Sequence, residues 1–225
     1  MHIRPEVVPF VAASFVVGVL LAALSKRLFK TWRVAGTLGL AVAVIFSAYF
    51  LYFFRDPDRH PPNDASAILA GADGTIAAIT EVREDKYLQT DCVRISIFLS
   101  LFDVHVNRSP MSGRSKFLGY FPGKRLFTFQ EKSSDLNQHN KILVEGAHTR
   151  CLVNQIVGPV CRRVVYWPDH DKAVDVASGE RIGMMKFGSR LDMYFPKSEI
   201  VIEVRKGDRV RAGETIVARV VASTQ

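Results

Sequence analysis

Ser189, His105, Asp73 and Asp103 are the side chains here whose types could do chemistry if the fold brought them together. Serine is a poor nucleophile unless a base takes its proton, and histidine is the usual base near neutral pH. Ser189 follows Gly188 in the stretch Met184 to Pro196, between two runs that read as strands. On composition alone, Gly188-Ser189 is a turn. Asp103, His105 and Asn107 alternate with Val104 and Val106 at the end of the longest strand-like run, 93–106. That alternation puts three polar groups on one face. The face reads equally as solvated or as the lining of a site in which an Asp positions a His. Asp73 precedes Gly74, and locally this pair is a turn former.

Other chemistries find little support. The three cysteines, Cys92, Cys151 and Cys161, show no CxxC spacing, which argues against a disulfide framework. The six histidines form no ligand-spaced cluster, so no metal is expected. The formal charge of +8 favours an anionic partner. No nucleic-acid module is legible, so nucleic acid is not expected, and an anionic lipid surface is the simplest partner.

Lipid is also what the first 54 residues point to. Residues 7–24 and 34–54 are uncharged runs of 18 and 21 residues. Each approaches the roughly 20 residues that cross about 30 Å of hydrocarbon as a helix. Between them lies a short basic loop with Lys26, Arg27, Lys30, Trp32 and Arg33, a headgroup-type composition. Its four Lys/Arg barely outnumber Arg4, Arg55 and Arg59 on the other flanks, so orientation is not legible. The proline-rich stretch 55–66 then reads as a linker. From Ala67 onward, short alternating apolar runs are punctuated by Gly-Asp, Asp-Gly and Ala-Gly turns, so the rest is mostly β. Residues 127–140 read as a short helix or a long loop over the sheet.

Several ordered stretches resemble the short, bacterial and archaeal form of the phosphatidylserine decarboxylase proenzymes. They are Ala72-Asp73-Gly74-Thr75, the segment from Phe98 through Asp103-Val104-His105-Val106-Asn107-Arg108 to Pro110, Gln155-Ile156-Val157-Gly158 with Arg162-Arg163, Gly183 through Phe187-Gly188-Ser189-Arg190, and Lys206-Gly207-Asp208 through Gly213-Glu214. Together they span roughly residues 55 to 225. The closing hairpins also look like those of biotinyl and lipoyl domains. The resemblance implies a mainly β (α+β) fold: a barrel-sandwich-hybrid-like catalytic domain at 67–225, preceded by a hydrophobic helical hairpin at 1–54.

The resemblance also implies self-processing. Ser189 attacks the Gly188 carbonyl, the resulting ester is eliminated, and Ser189 becomes an N-terminal pyruvoyl group. The cut leaves a large β chain, 1–188, and a small α chain, 189–225, that stay together as a heterodimer, with a higher oligomer allowed. The covalent pyruvoyl group is the cofactor, with no metal. It forms a Schiff base with phosphatidylserine, which is decarboxylated to phosphatidylethanolamine at the cell membrane by a domain on the cytoplasmic side. The chosen base is His105 with Asp73 as its orienting partner. Longer family members carry two histidines three residues apart here; this chain has His105 and then Arg108. Cys161 stands where the family usually has a small residue and reads as packing. Arg162, Arg163 and Arg190 could meet the lipid phosphate or be surface charges. The same chemistry on an archaeal ether-lipid serine is one alternative. A non-enzymatic, membrane-anchored carrier or binding module of the biotinyl or lipoyl type is another.

Overall fold

A computed structural model describes residues 1–29, 32–159 and 164–221. Cys161, Arg162, Arg163 and Lys30 therefore lie outside the described residues. The chain divides into two compact units, Met1–Asp58 and Arg59–Gln225.

In the first unit, strand β1 (His2–Ile3) precedes helices α1 (Val8–Phe29) and α2 (Trp32–Phe53), and strand β2 (Arg55–Asp56) follows them. Both helices are long and apolar enough to cross a membrane, and most of their surface is exposed. Small residues let them approach closely. A Cβ on Gly18 would lie 2.6 Å from the Gly39 carbonyl oxygen, and one on Gly39 would lie 2.3 Å from that of Gly18. This is how helices associate where water supplies no hydrophobic drive. Antiparallel pairing of β1 with β2 ties the two ends of the hairpin together.

The second unit is built of β3 (Ala67–Leu69), β4 (Gly74–Glu84), β5 (Thr90–Leu99), β6 (Val106–Arg108), β7 (Gly113–Phe121), a one-turn helix α3 (Ser133–Leu136), β8 (His139–Glu145), β9 (Arg150–Val157), β10 (Val164–Tyr166), β11 (Val174–Val176), β12 (Arg181–Met185), β13 (Ser189–Pro196), β14 (Ile200–Ile202), β15 (Arg209–Val210) and β16 (Ile216–Val220). An eight-stranded sheet runs in the order β11-β7-β8-β9-β13-β5-β4-β15. Two three-stranded sheets, β10-β12-β6 and β14-β16-β3, complete it. The protein is thus mainly β with an apolar helical pair at its N-terminus.

Strand alternation sets the core. Leu191, Met193 and Phe195 of β13 and Ile95, Ile97 and Leu99 of β5 turn to one face and are fully buried. Ile182 and Met185 of β12 and Ile68, Val217 and Ala218 from the β14-β16-β3 sheet join the same cluster. The opposite face of β13 carries Arg190, Asp192 and Tyr194, roofed by segment 122–138. The expected short helix or long loop, 127–140, falls mostly in that segment as a loop with one helical turn, but His139 and Asn140 already belong to β8.

Two expectations are corrected. The run 93–106 is not one strand. β5 stops at Leu99 because the Asp103 carboxylate turns back and accepts hydrogen bonds from the Ser100 N–H at 2.8 Å and the Ser100 hydroxyl at 2.6 Å. Asp103 therefore does not share a strand face with His105 and Asn107. Nor is Arg190 a surface charge or a lipid ligand. It is 1% exposed, donating to Asp192 at 2.8 Å, the Ser96 hydroxyl at 2.7 Å and Glu131 at 3.2 Å.

Candidate active site

The sequence that reads as a turn at Gly188-Ser189 is a hand-over between sheets. β12 belongs to the β10-β12-β6 sheet and β13 to the large one, and residues 186–188 make the crossing. The crossing is sharp. Phe187 has φ +59° and Gly188 has φ +72°. For Gly188 this left-handed backbone costs nothing. For Phe187 it costs about 1–2 kcal/mol, held by the strands on either side. A Cβ on Gly188 would meet nothing within 4 Å, so there is open space beside the Gly188–Ser189 peptide. On the other side, a Cβ on Gly158 would lie 2.9 Å from the Gly188 carbonyl oxygen, so that carbonyl is held against Gly158.

Ser189 is the first residue of the central strand, paired with Leu99 of β5 and Val157 of β9. It is in phase with Leu191 and Met193, so its side chain turns to the core face. The residue is fully buried, and Oγ has no hydrogen-bond partner among the described residues. Burying a hydroxyl unsatisfied costs free energy, and among the described residues Ser189 shares that state with the buried hydroxyls of Ser47, Ser134 and Thr149.

His105 is brought to the same corner by main-chain pairing. The Met185 N–H donates to the His105 carbonyl at 3.1 Å, and Val106 lies opposite Met184. His105 is thus fastened to the last residue of β12, four positions before Ser189. It is fully buried. Its Nδ1 lies 2.9 Å from the main-chain carbonyl oxygen of Asp103. A carbonyl can only accept, so Nδ1 carries the proton, which in a neutral ring puts the basic lone pair on Nε2. That is the tautomer a general base needs.

Asp73 has other immediate partners than the His105 ring. Its carboxylate accepts from Arg59 at 2.7 Å and from the Ala212 N–H at 2.8 Å. Burial pushes the Asp73 carboxyl up from its ordinary value, against the Ala212 N–H and Arg59, and the charge on Asp103 pushes the same way. Asp73 and Asp103 are therefore close enough to feel each other. Burial raises the Asp103 carboxyl too, but the Ser100 hydrogen bonds and Arg209 outweigh it and hold it below its usual value. Arg209 binds Asp103 at 2.7 Å. Arg108, at the position of the family's second histidine, donates to the Gly179 carbonyl at 2.9 Å.

A buried amide pair completes the corner. The Gln155 amide donates to the Asn107 Oδ1 at 2.8 Å, and both residues are fully buried. Asn107 Nδ2 has no hydrogen-bond partner among the described residues. Gln155 stands opposite Leu191, one same-face position from Ser189. Asn107 was legible as sharing a face with His105; its bond to Gln155, which is far away in sequence, was not. Among the described residues, no group of three or more His, Cys, Asp or Glu could hold a metal ion.

Comparison with known proteins gives this arrangement a family. The sequence profile described as Phosphatidylserine decarboxylase matches residues 46–218. The chain is 41% identical over 184 residues to a phosphatidylserine decarboxylase proenzyme of Carboxydothermus hydrogenoformans, covering 81% of this chain and 84% of that protein. It is 37% identical over 206 residues to the protein of the same name from Symbiobacterium thermophilum, covering 90% and 91%. A third, from Prosthecochloris aestuarii, is 40% identical over 180 residues, covering 80% and 81%. The chain belongs to the phosphatidylserine decarboxylase family. Its members are enzymes, so the carrier-module alternative falls.

Proposed function

We propose that the chain cuts itself between Gly188 and Ser189 and that the product decarboxylates phosphatidylserine to phosphatidylethanolamine. The observation that carries this reading is Ser189: a buried hydroxyl without a partner among the described residues, directly after two left-handed residues, at the head of the central strand. The word proenzyme in the relatives' names supports processing.

In this reading His105 Nε2 takes the Ser189 proton, and Oγ attacks the Gly188 carbonyl carbon. The C–N bond breaks, leaving an ester. Loss of the Ser189 α-proton then expels the Gly188 carboxylate and leaves a dehydroalanine at the new N-terminus. One water enters and ammonia leaves, giving the pyruvoyl carbonyl. The residues fit its formation: Gly188 has open space beside it, and its carbonyl is held in place at Gly158. The pyruvoyl group supplies an electron sink for the decarboxylation, as pyridoxal does elsewhere. His105 then returns a proton to the carbon that carbon dioxide has left. The Asp103 carbonyl orients its ring, and Asp73 serves at one remove, as a half-buried carboxylate held by Arg59 and Ala212. Asn107 Nδ2 is available to a developing oxyanion or to the substrate carboxylate. The cut separates chains 1–188 and 189–225, which remain paired because β13 sits between β5 and β9. The apolar hairpin keeps the enzyme at the membrane, and the net charge of +8 favours an anionic cytoplasmic leaflet.

Intact masses of the denatured full-length chain, together with carbon dioxide release from phosphatidylserine in detergent, test this reading. Two fragments split after Gly188 are expected, the smaller one lacking a free N-terminal amine. An active preparation containing only uncut chain overturns it. A finer check is Gly158→Ala, which pushes a methyl group against the Gly188 carbonyl. Displacing a reacting group by a fraction of an ångström to 1 Å costs on the order of 10- to 100-fold. Self-cleavage of freshly synthesised Gly158→Ala chain, followed by mass, is expected to slow by that factor.

A further inference from the structure

The end of the large sheet that carries Ser189 also carries an exposed apolar and basic surface. Two segments leave the sheet there. One is the 100–105 turn after Leu99, which lies opposite Ser189. The other, 122–138, links Phe121 to His139. It passes beside the scissile peptide. The Cβ position at Gly158 that meets the Gly188 carbonyl oxygen also lies 3.4 Å from the Thr128 methyl and 3.8 Å from the Leu126 carbonyl oxygen.

Thr128 is buried, yet the phenylalanines on either side of it point out. Phe127 is 56% exposed and Phe129 is 64% exposed, with their rings stacked at 5.4 Å. On the neighbouring turn, Phe102 is 66% exposed. The phenylalanines are rigidly mounted. Asn137 accepts from the Leu126 N–H at 2.8 Å and donates to the Leu126 carbonyl at 2.7 Å and the Val157 carbonyl at 2.9 Å. Glu131 is bound by Arg94 and Arg190 from the sheet below. A stacked pair of exposed phenylalanines is a contiguous apolar patch of the kind that marks an interaction surface. Lys124, Arg125 and Lys132 are exposed on the same segment and outnumber its exposed acids, Asp135 and Glu131, of which Glu131 is tied to Arg94 and Arg190; Arg209 is exposed beside the 100–105 turn, bound to Asp103.

Aromatic side chains ringed by Lys and Arg are the composition of the bilayer headgroup region. We propose that this surface docks on an anionic phospholipid bilayer, with Phe127 and Phe129 inserted below the headgroups. The serine headgroup then reaches Ser189 without its acyl chains leaving the leaflet. The inference rests on the lipid-substrate reading above and adds a second membrane contact, separate from the N-terminal hairpin.

The test uses the full-length chain reconstituted in vesicles. Phe127→Trp is expected to be quenched by brominated lipid, beyond the background of Trp32 and Trp167 in the parent chain. Adding phosphatidylglycerol to phosphatidylcholine vesicles should deepen that quenching. In the double variant Phe127→Ser/Phe129→Ser, the ratio of decarboxylation on vesicle-borne to monomeric short-chain phosphatidylserine is expected to fall on the order of tenfold. Intact masses showing normal self-cleavage establish that this variant is folded. Absence of extra quenching, or an unchanged ratio, overturns docking while leaving the decarboxylase reading intact. Loss of carbon dioxide release from every serine lipid by the parent chain overturns the decarboxylase reading instead, and the quenching measurement still reads docking on its own.

Discussion

Ser189→Ala is expected to give a single uncut chain of 225 residues with no decarboxylase activity. In the proposed mechanism the hydroxyl is both the nucleophile that opens the peptide and the atom whose loss as an ester makes the new carbonyl, so no other side chain substitutes for it. Removing a nucleophile of this kind costs on the order of a million-fold. The same variant should fold as well as the parent. Its Oγ has no hydrogen-bond partner among the described residues, so deleting it removes a desolvated polar atom and should leave the chain at least as stable as the parent. Intact mass, carbon dioxide release and a thermal melt together separate this outcome from misfolding. An uncut, stable, inactive chain is expected; a cut one removes Ser189 from the centre of the reading.

His105→Gln should slow self-cleavage by roughly 100- to 10,000-fold, the range for losing a positioned general base. Glutamine is the suitable probe because an alanine would leave a cavity at a fully buried position. Its amide can still donate to the Asp103 carbonyl, but it cannot take a proton. The main-chain bond from Met185 to the His105 carbonyl is untouched by the change, so the corner should keep its shape. The rate is read from the fraction of uncut chain against time after cell-free synthesis. Cleavage at the parent rate would confine His105 to the decarboxylation step or take it out of the site.

The candidate site was legible where it depends on neighbours in sequence. Gly188 supplies a backbone freedom that only its own residue type can give, and Ser189 follows it by definition. The two apolar runs announced helices of membrane-crossing length, because hydrocarbon thickness sets helix length directly. The β character of residues 67–225 followed from period-two alternation and turn residues. Side-chain partners were less legible, because they depend on where a strand stops. Asp103 was placed on the His105 face by continuing the alternation past Leu99. The Ser100–Asp103 hydrogen bonds end the strand instead, and the main-chain carbonyl of Asp103 becomes the acceptor for the His105 ring. The role of Arg190 was open in the sequence and is closed by burial: with Asp192 and Glu131 beside it, it holds the 122–138 segment to the sheet.

Sequence alone therefore determined the mainly β class, the apolar hairpin and the Gly-Ser step, since each follows from local periodicity or residue type. Tertiary structure decided that Ser189 heads a central strand, that the His105 carbonyl accepts from the Met185 N–H at the end of β12, and that Asp73 meets Arg59 and Ala212. It also decided that Phe127 and Phe129 stand exposed on either side of Thr128, which packs near Gly158 and the Gly188 carbonyl. These are contacts between residues tens of positions apart. Their energies come from pairings across sheets, which no local pattern encodes.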